Sequence, residues 1–176
     1  MSAPERRLVG ARVVLRAPVA ADVAPIAAIE AEPAVARWWP PDTLEELHDL
    51  LFQPDADVVP WVIEHEGRVV GYIQDWVETD PLYRHAGIDL FLTTAAQGRG
   101  LGPDAIRTLA AHLIDDRGHH RLTIDPVATN ERAISAYTRV GFRPVGRLRA
   151  YQRTADGGWE DGLLMEMLAD ELVREP

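Results

Sequence analysis

The chain has 176 residues, 47% of them hydrophobic and 26% charged, with a formal net charge of −10 and no cysteine. That length fits one globular domain over 1–176 with a sizeable core, and the missing cysteines exclude disulfides, thiolate metal sites and a thioester held on the protein. The acidic balance argues against nucleic acid as the main partner and favours either a cationic ligand or plain solubility.

No segment approaches the roughly 20 apolar residues of a membrane span. Met1 to Arg16 holds no apolar run long enough for a signal peptide, so the cytoplasm is the expected location. Ala11 to Ala17 reads as a first strand. Asp22 is read as the N-cap of a helix to about Ala31, with Val23, Ile26, Ala27 and Glu30 on successive turns. Trp38 and Trp39 stand before Pro40 and Pro41, which places them in a bend. One tryptophan in the core with the other as its lid, or an aromatic wall of a cleft, both fit. Thr43 with Glu46 forms a capping box for a helix to about Phe52, with Leu44, Leu47, Leu50 and Leu51 buried.

Pro60 to His65 is a strand, Glu66-Gly67 a hairpin turn and Val69 to Val77 a long strand. Tyr72, Gln74 and Trp76 share one face of that strand, which suits either a polar ligand or a half-exposed sheet. Glu78 to His85 is a polar loop. Ala86 to Leu92 is a strand on which Ile88, Leu90 and Leu92 alternate with Asp89 and Phe91. A glycine-rich turn follows, then a helix to about Asp116, ended by Gly118. Gly102 is read as its N-cap and Pro103 as its first helical residue. Arg121 to Asp125 is a strand with Leu122 and Ile124 inward and Thr123 and Asp125 outward. Asn130 caps a helix ending at Gly141. Phe142 to Arg153 and Asp161 to Leu168 are the last strands. The order is β-α-α-β-β-β-α-β-α-β-β.

The turn Gln97-Gly98-Arg99-Gly100-Leu101-Gly102 between strand and helix has a physical use. Its glycines let backbone amides converge on an anion, the helix N-terminus adds about half a positive charge, and Arg99 adds a full one. A pyrophosphate suits it; a tight turn with no ligand is the other reading. A Walker loop is excluded because the chain has no lysine. The dinucleotide fingerprint needs its third glycine further on.

Gln97, Gly100 and Gly102 match the pattern Gln/Arg-x-x-Gly-x-Gly/Ala, which resembles the acetyl-CoA loop of the GNAT (GCN5-related) N-acetyltransferases. Asn130, Ala133, Tyr137, Gly141 and Phe142 look like the second signature of that superfamily. A narrower similarity, in Gly71-Tyr72-x-Gln74, Gly87-Ile88-Asp89 and Asp125-Pro126, is to the aminoglycoside 6′-N-acetyltransferases. The resemblance implies an α/β fold of α+β type: the GNAT acyl-CoA N-acyltransferase fold, a central mixed sheet flanked by helices and splayed between the strands around 86–92 and 121–125. It departs from the usual pattern at Pro103, which removes one phosphate donor.

The resemblance also implies acetyl-CoA as cofactor and acetyl transfer to a small cationic amine, most like the 6′-amine of an aminoglycoside, by a monomer or homodimer. Acceptance of a peptide N-terminus or a siderophore lysine or hydroxylamine, or acyl-CoA binding without catalysis, are the alternatives. Asp89 is the expected base or ammonium anchor and Tyr137 the expected acid at the leaving thiolate. Cofactor contacts are expected from Phe91, Leu92, Thr93, Gln97, Gly98, Arg99, Gly100, Leu101, Gly102, Asn130, Ala133 and Tyr137. An amide in the stretch Phe91 to Thr93, at a strand bulge, is expected to face the thioester oxygen. Substrate contacts are expected from Trp38, Tyr72, Gln74, Asp89 and Asp125, with Asp75, Glu78 and Asp80 after them. His65, His85, His112, His119 and His120 show no metal spacing, so no metal is expected.

Overall fold

The computed structural model describes residues 6–175; the opening of the stretch read for a leader, residues 1–5, lies outside them. Among the described residues eight strands form one sheet: β1 (Arg7–Val9), β2 (Val14–Arg16), β3 (Val58–His65), β4 (Arg68–Glu78), β5 (His85–Leu92), β6 (Arg121–Ile124), β7 (Arg143–Arg153) and β8 (Trp159–Leu168). Their order across the sheet is β1-β2-β3-β4-β5-β6-β8-β7. Every neighbouring pair is antiparallel except β5 and β6. A parallel pair needs a crossover, and the helix α4 (Leu101–Ala111) supplies it. The β5–β6 pairing covers only Ala86–Leu122 and Gly87–Thr123. Beyond Gly87 the two strands part, which is the expected splay.

The pleat assigns the two faces. Ile73 and Ile88 point to one side, where Leu101, Ala105, Ile106 and Leu109 of α4 complete the larger core cluster. Tyr72 and Phe91 point to the other, against Ile26 and Ile29 of α1 (Val23–Glu30) and Leu47 and Leu51 of α3 (Leu44–Phe52). Gln74 and Asp89 are cross-strand partners, as are Tyr72 and Phe91. Asp89 therefore lies on the same face as Phe91, one pleat further along. The β4–β5 register runs from Gly71–Leu92 to Glu78–His85 without a shift, so the expected bulge near Phe91 is absent from this ladder.

Tertiary contacts altered several local expectations. The single N-terminal strand is a hairpin, β1–β2, whose turn is fixed from far along the chain. The Asp104 carboxylate on α4 accepts the amides of Ala11, Arg12 and Val13 at 3.3, 2.7 and 3.0 Å. Asp22 precedes α1 but does not cap it with its side chain. Its carboxylate takes the Arg16 guanidinium at 2.7 and 2.8 Å and the Val19 amide at 2.8 Å. A short helix, α2 (Pro33–Ala36), precedes the tryptophan pair, with proline at its start where a missing N–H is harmless. The Thr43–Glu46 capping box is present, yet Leu44 at the head of α3 is exposed because Leu47 and Leu51 carry its buried stripe.

Helix α4 starts one turn-residue pair earlier than expected. Gly100, at φ 79°, is the N-cap, so Gly102 is helical and Pro103 occupies the third helical position. That position is still among the four whose amides lack an intrahelical acceptor. The helix continues through a π turn at His112–Asp116. Thr123, expected outward, is buried, because β6 is flanked on both edges and covered on both faces. Helix α5 (Glu131–Val140) is capped as expected by Asn130, whose side chain accepts the Ala133 amide at 3.2 Å.

Glu30 of α1 is fully buried, and neither carboxylate oxygen has a hydrogen-bond partner among the described residues. Burial, with the charge of Asp42 added, pushes its carboxyl up to about 7. The folded state thus keeps a proton that the unfolded chain has released above about pH 4.5, so stability falls as pH rises from about 4.5 to about 7. Glu30→Gln should raise the urea-unfolding free energy by about 1–2 kcal/mol at pH 8 and by far less near pH 4.5. An equal effect at both values would contradict this account.

Candidate active site

Where β5 and β6 part, a cavity of about 790 Å³ opens. One wall is the free edge of β5. The Thr93 amide donates to the Val70 carbonyl at 2.9 Å. Antiparallel alternation then turns the Leu90 and Leu92 amides away from β4 and toward the opening. The Leu92 carbonyl also faces away from β4, and accepts Gln97 Nε2 at 3.0 Å. The Gln97 side chain thereby folds the glycine turn back onto the strand end.

The turn itself is pinned and then left open. The Glu32 carboxylate accepts the Thr93 hydroxyl at 2.6 Å and the Thr94 amide at 2.7 Å. Gly98 and Gly100 follow with φ of 74° and 79°, a left-handed backbone that only glycine adopts without cost. No protein acceptor among the described residues takes the amides of Gly98 to Gly102. Consecutive free amides at the head of α4 form a concave donor set for an anion.

Asp89 lines the same cavity as these donors. Gln74 Nε2 donates to its Oδ2 at 3.1 Å, and Gln74 Oε1 accepts the Tyr72 hydroxyl at 2.7 Å. Burial pushes the Asp89 carboxyl up to about 6; the Asp125 charge adds to the rise and the Gln74 bond opposes it. Tyr137 of α5 lines the same cavity. Burial, and then the Asp89 and Asp125 charges, hold its phenol above its ordinary value, so it stays protonated. Asp125, just past β6, is also raised by burial, while the Tyr151 hydroxyl on its Oδ2 at 2.5 Å works the other way.

Trp38 and Trp39 both line the cavity. Trp39 packs on Phe91 and Tyr72, with ring centroids 5.1 and 6.2 Å apart, so it is core and wall at once. The Arg37 guanidinium lies 4.3 Å over the Trp38 ring. Of the other residues singled out from the sequence, Phe91, Leu92, Gln97, Gly98, Gly100, Gly102, Asn130 and Ala133 also line the cavity. Five do not. Tyr72 is fully buried behind Gln74, and both reach the cavity only through Asp89. Leu101 is core, and Thr93 is turned to Glu32. Arg99 faces a separate depression beside Arg12, His65 and Glu66.

The further acidic candidates lie elsewhere. Asp75 points to the α4 face, fully buried, and takes Trp61 Nε1 at 2.9 Å and Arg117 Nη1 at 2.8 Å. Glu78 and Asp80 accept nearby loop amides. Among the described residues no group of three His, Cys, Asp or Glu side chains could hold a metal ion. Sequence reading missed Gln152, which lines the cavity, and Tyr151. Both sit on β7, where local patterning gives no hint that they reach Trp38 and Asp125.

Residues 12–143 match the family model of the acetyltransferase (GNAT) domain. An aminoglycoside N(6′)-acetyltransferase type 1 from Klebsiella pneumoniae is 30% identical over 131 residues, covering 64% of each chain. A kanamycin resistance protein from Rhizobium radiobacter is 41% identical over 70 residues, 39% of this chain and 63% of that one. These matches thus span somewhat under two thirds of the relatives' own lengths. Among solved structures, the aminoglycoside acetyltransferase AAC(6′)-Ib in complex with coenzyme A and kanamycin superposes with a TM-score of 0.75 at 29% identity, over 93% of this chain and 99% of that one. The cleft between parting strands, closed by an amide-lined turn, is the architecture of an acyl-transfer fold. The chain belongs to the GNAT acetyltransferase family.

The Tyr72–Gln74–Asp89 chain predicts a measurable shift. Gln74→Leu removes the donor that favours charged Asp89. In a ¹³C carboxylate titration Asp89 should then titrate above its native value of about 6. A downward or absent shift would show that Gln74 does not hold this carboxylate.

Proposed function

We propose that the protein transfers the acetyl group of acetyl-CoA to a primary amine of a small polycationic acceptor, with the 6′-amine of an aminoglycoside as the first choice. The observation that carries this reading is the meeting of Asp89, Asp125 and Tyr137 in one cavity that ends at the free amides of Gly98 to Gly102. Its size is that of a small-molecule site. The similarity to aminoglycoside acetyltransferases at 29–30% identity supports the same choice.

The donor set fits the cofactor. The Gly98–Gly102 amides and the head of α4 would hold its diphosphate, with the Leu90 and Leu92 amides and Asn130 along its pantetheine arm. Bound acetyl-CoA supplies an activated acyl group as a thioester. The protein's own residues do the rest. A primary amine with pKa of about 9–10 arrives protonated and cannot attack. Asp89 holds that ammonium and accepts its proton; its raised basicity suits the task better than an ordinary carboxylate's. The Leu92 amide, turned away from β4, would donate to the thioester oxygen as charge develops there. Tyr137, kept neutral, has its hydroxyl proton available for the departing sulfur. Asp125 offers a second anionic contact for a further ammonium.

Acetyl-CoA-dependent thiol release should be assayed with kanamycin, tobramycin, spermidine, a peptide panel and hydroxylamine precursors. Turnover on the aminoglycosides is expected; turnover confined to peptides would overturn the acceptor assignment. The kcat/KM should rise with pH through about 6 as Asp89 loses its proton. Asp89→Asn should abolish that limb and slow turnover by about 10²-fold. Tyr137→Phe should lower kcat while leaving the KM for acetyl-CoA nearly unchanged.

A further inference from the structure

We infer that Tyr151 is a positioning residue that fixes the orientation and charge of Asp125, and that through it the β7–β8 hairpin selects acceptors carrying a second ammonium group. This rests on the amine-site reading given above and extends it to a residue outside the cavity lining.

The placement of Tyr151 is built with some care. The Tyr151 hydroxyl donates to Asp125 Oδ2 at 2.5 Å. The preceding residue, Ala150, has a φ of 48°, a left-handed conformation uncommon for a residue with a side chain. It falls where the β7–β8 register breaks, between Leu148 and Gln152. The Ala150 amide is held by Asp161 Oδ1 at 2.8 Å, and Arg147 lies 3.4 Å from the other oxygen of Asp161. The Tyr151 ring lies across Gly162; a Cβ there would come within 2.8 Å of the ring. A side chain at 162 would lift the phenol off Asp125.

The other end of the bond is tied to the same frame. Val127 bridges Gly162, the Ala128 amide donates to the Asp161 carbonyl at 2.8 Å, and the Leu163 amide donates to the Pro126 carbonyl at 2.8 Å. Asp125 and Tyr151 thus leave one rigid frame from two sides and meet. A relaxed surface tyrosine would need neither the left-handed alanine nor the bare glycine.

The chemical consequence follows from the donor. Asp125 shares the cavity with Asp89 of β5 and Tyr137 of α5, and Tyr151 of β7 faces it from behind, with Asp161 and Arg147 beyond on the hairpin. A neutral hydroxyl on one oxygen favours the carboxylate form and turns the other oxygen free for a cation. Without it, Asp125 would be a partly buried carboxylate beside another, and would take up a proton more readily. The adjacent Gln152 donates to the Trp38 carbonyl at 2.9 Å, and the Arg37 guanidinium pairs with both Glu160 oxygens at 2.9 and 3.0 Å. The hairpin is therefore latched onto the tryptophan wall as well.

Tyr151→Phe keeps the ring on Gly162 and removes only the donor. With kanamycin as a polyamine and 6-amino-6-deoxyglucose as a monoamine, the variant should raise the KM for kanamycin about tenfold, a loss of the size expected for one charge-assisted hydrogen bond. The KM for the monoamine should move less than twofold. In a ¹³C titration Asp125 should shift upward, and the pH at which kanamycin KM worsens should shift with it. Asp125→Asn should raise the kanamycin KM similarly, and adding Tyr151→Phe to it should change little more. Equal KM changes for both acceptors, or additive effects in the double variant, overturn the assignment. An unmoved Asp125 titration with intact turnover overturns it too. Turnover on neither acceptor by the native chain overturns the acceptor preference together with the amine reading, and the Asp125 titration then judges the Tyr151 contact by itself.

Discussion

The short β5–β6 pairing is the constraint on which the site depends. Two residue pairs hold the strands together, and past Gly87 they separate. A sheet that continued to pair would have used up the Leu90 and Leu92 amides in a ladder. It would also have filled with side chains the space that Asp89, Asp125 and Tyr137 now share. The break is stable because one core cluster runs under both halves of the sheet, from Ile63, Ile73 and Ile88 to Leu122, Ile124 and Met165. Helix α4 and the larger cluster support the junction from one face, while α1 and α3 cover β4 and β5 from the other. The exposed backbone of the gap is confined to one edge, where a ligand can use it.

Within the gap, burial does most of the electrostatic work. It raises Asp89, Asp125 and Tyr137 alike. For the carboxylates that means greater basicity; for the phenol it means a proton kept at neutral pH. The Asp125 charge also opposes ionisation of Asp89, while hydrogen bonds from Gln74 and Tyr151 favour the charged form of the two carboxyls. A bound polycation would relieve the same opposition.

The remaining long-range contacts hold the two sides of the gap in place. Asp104 clamps the β1–β2 turn to the first turns of α4, beside the glycine turn. Glu32 fixes the other end of that turn through Thr93 and Thr94. The β7–β8 hairpin in turn meets the tryptophan segment through Gln152–Trp38 and Glu160–Arg37. These contacts join side chains to distant backbone or to distant side chains, and they have no periodic signature in the chain.

Local pattern was enough for the elements that make their own structure. The Thr43–Glu46 box, the Asn130 cap, the alternation along β5 and the glycine turn before α4 are each legible because neighbouring residues satisfy one another. From them came the strand-turn-helix unit; the splayed sheet and the residues expected along the cavity came from the resemblance that these motifs carry. Tertiary structure decided the rest. Tyr72 and Gln74 look like substrate contacts on an alternating strand, yet the α1–α3 layer buries one and Asp89 occupies the other. Asp75 looks available until Arg117 and Trp61 close on it. Tyr151 and Gln152 look like edge-strand residues until the hairpin folds over the cavity. Short-range order is written in spacing, whereas the partner of a buried polar group is chosen by whichever distant segment the packing brings within hydrogen-bonding reach.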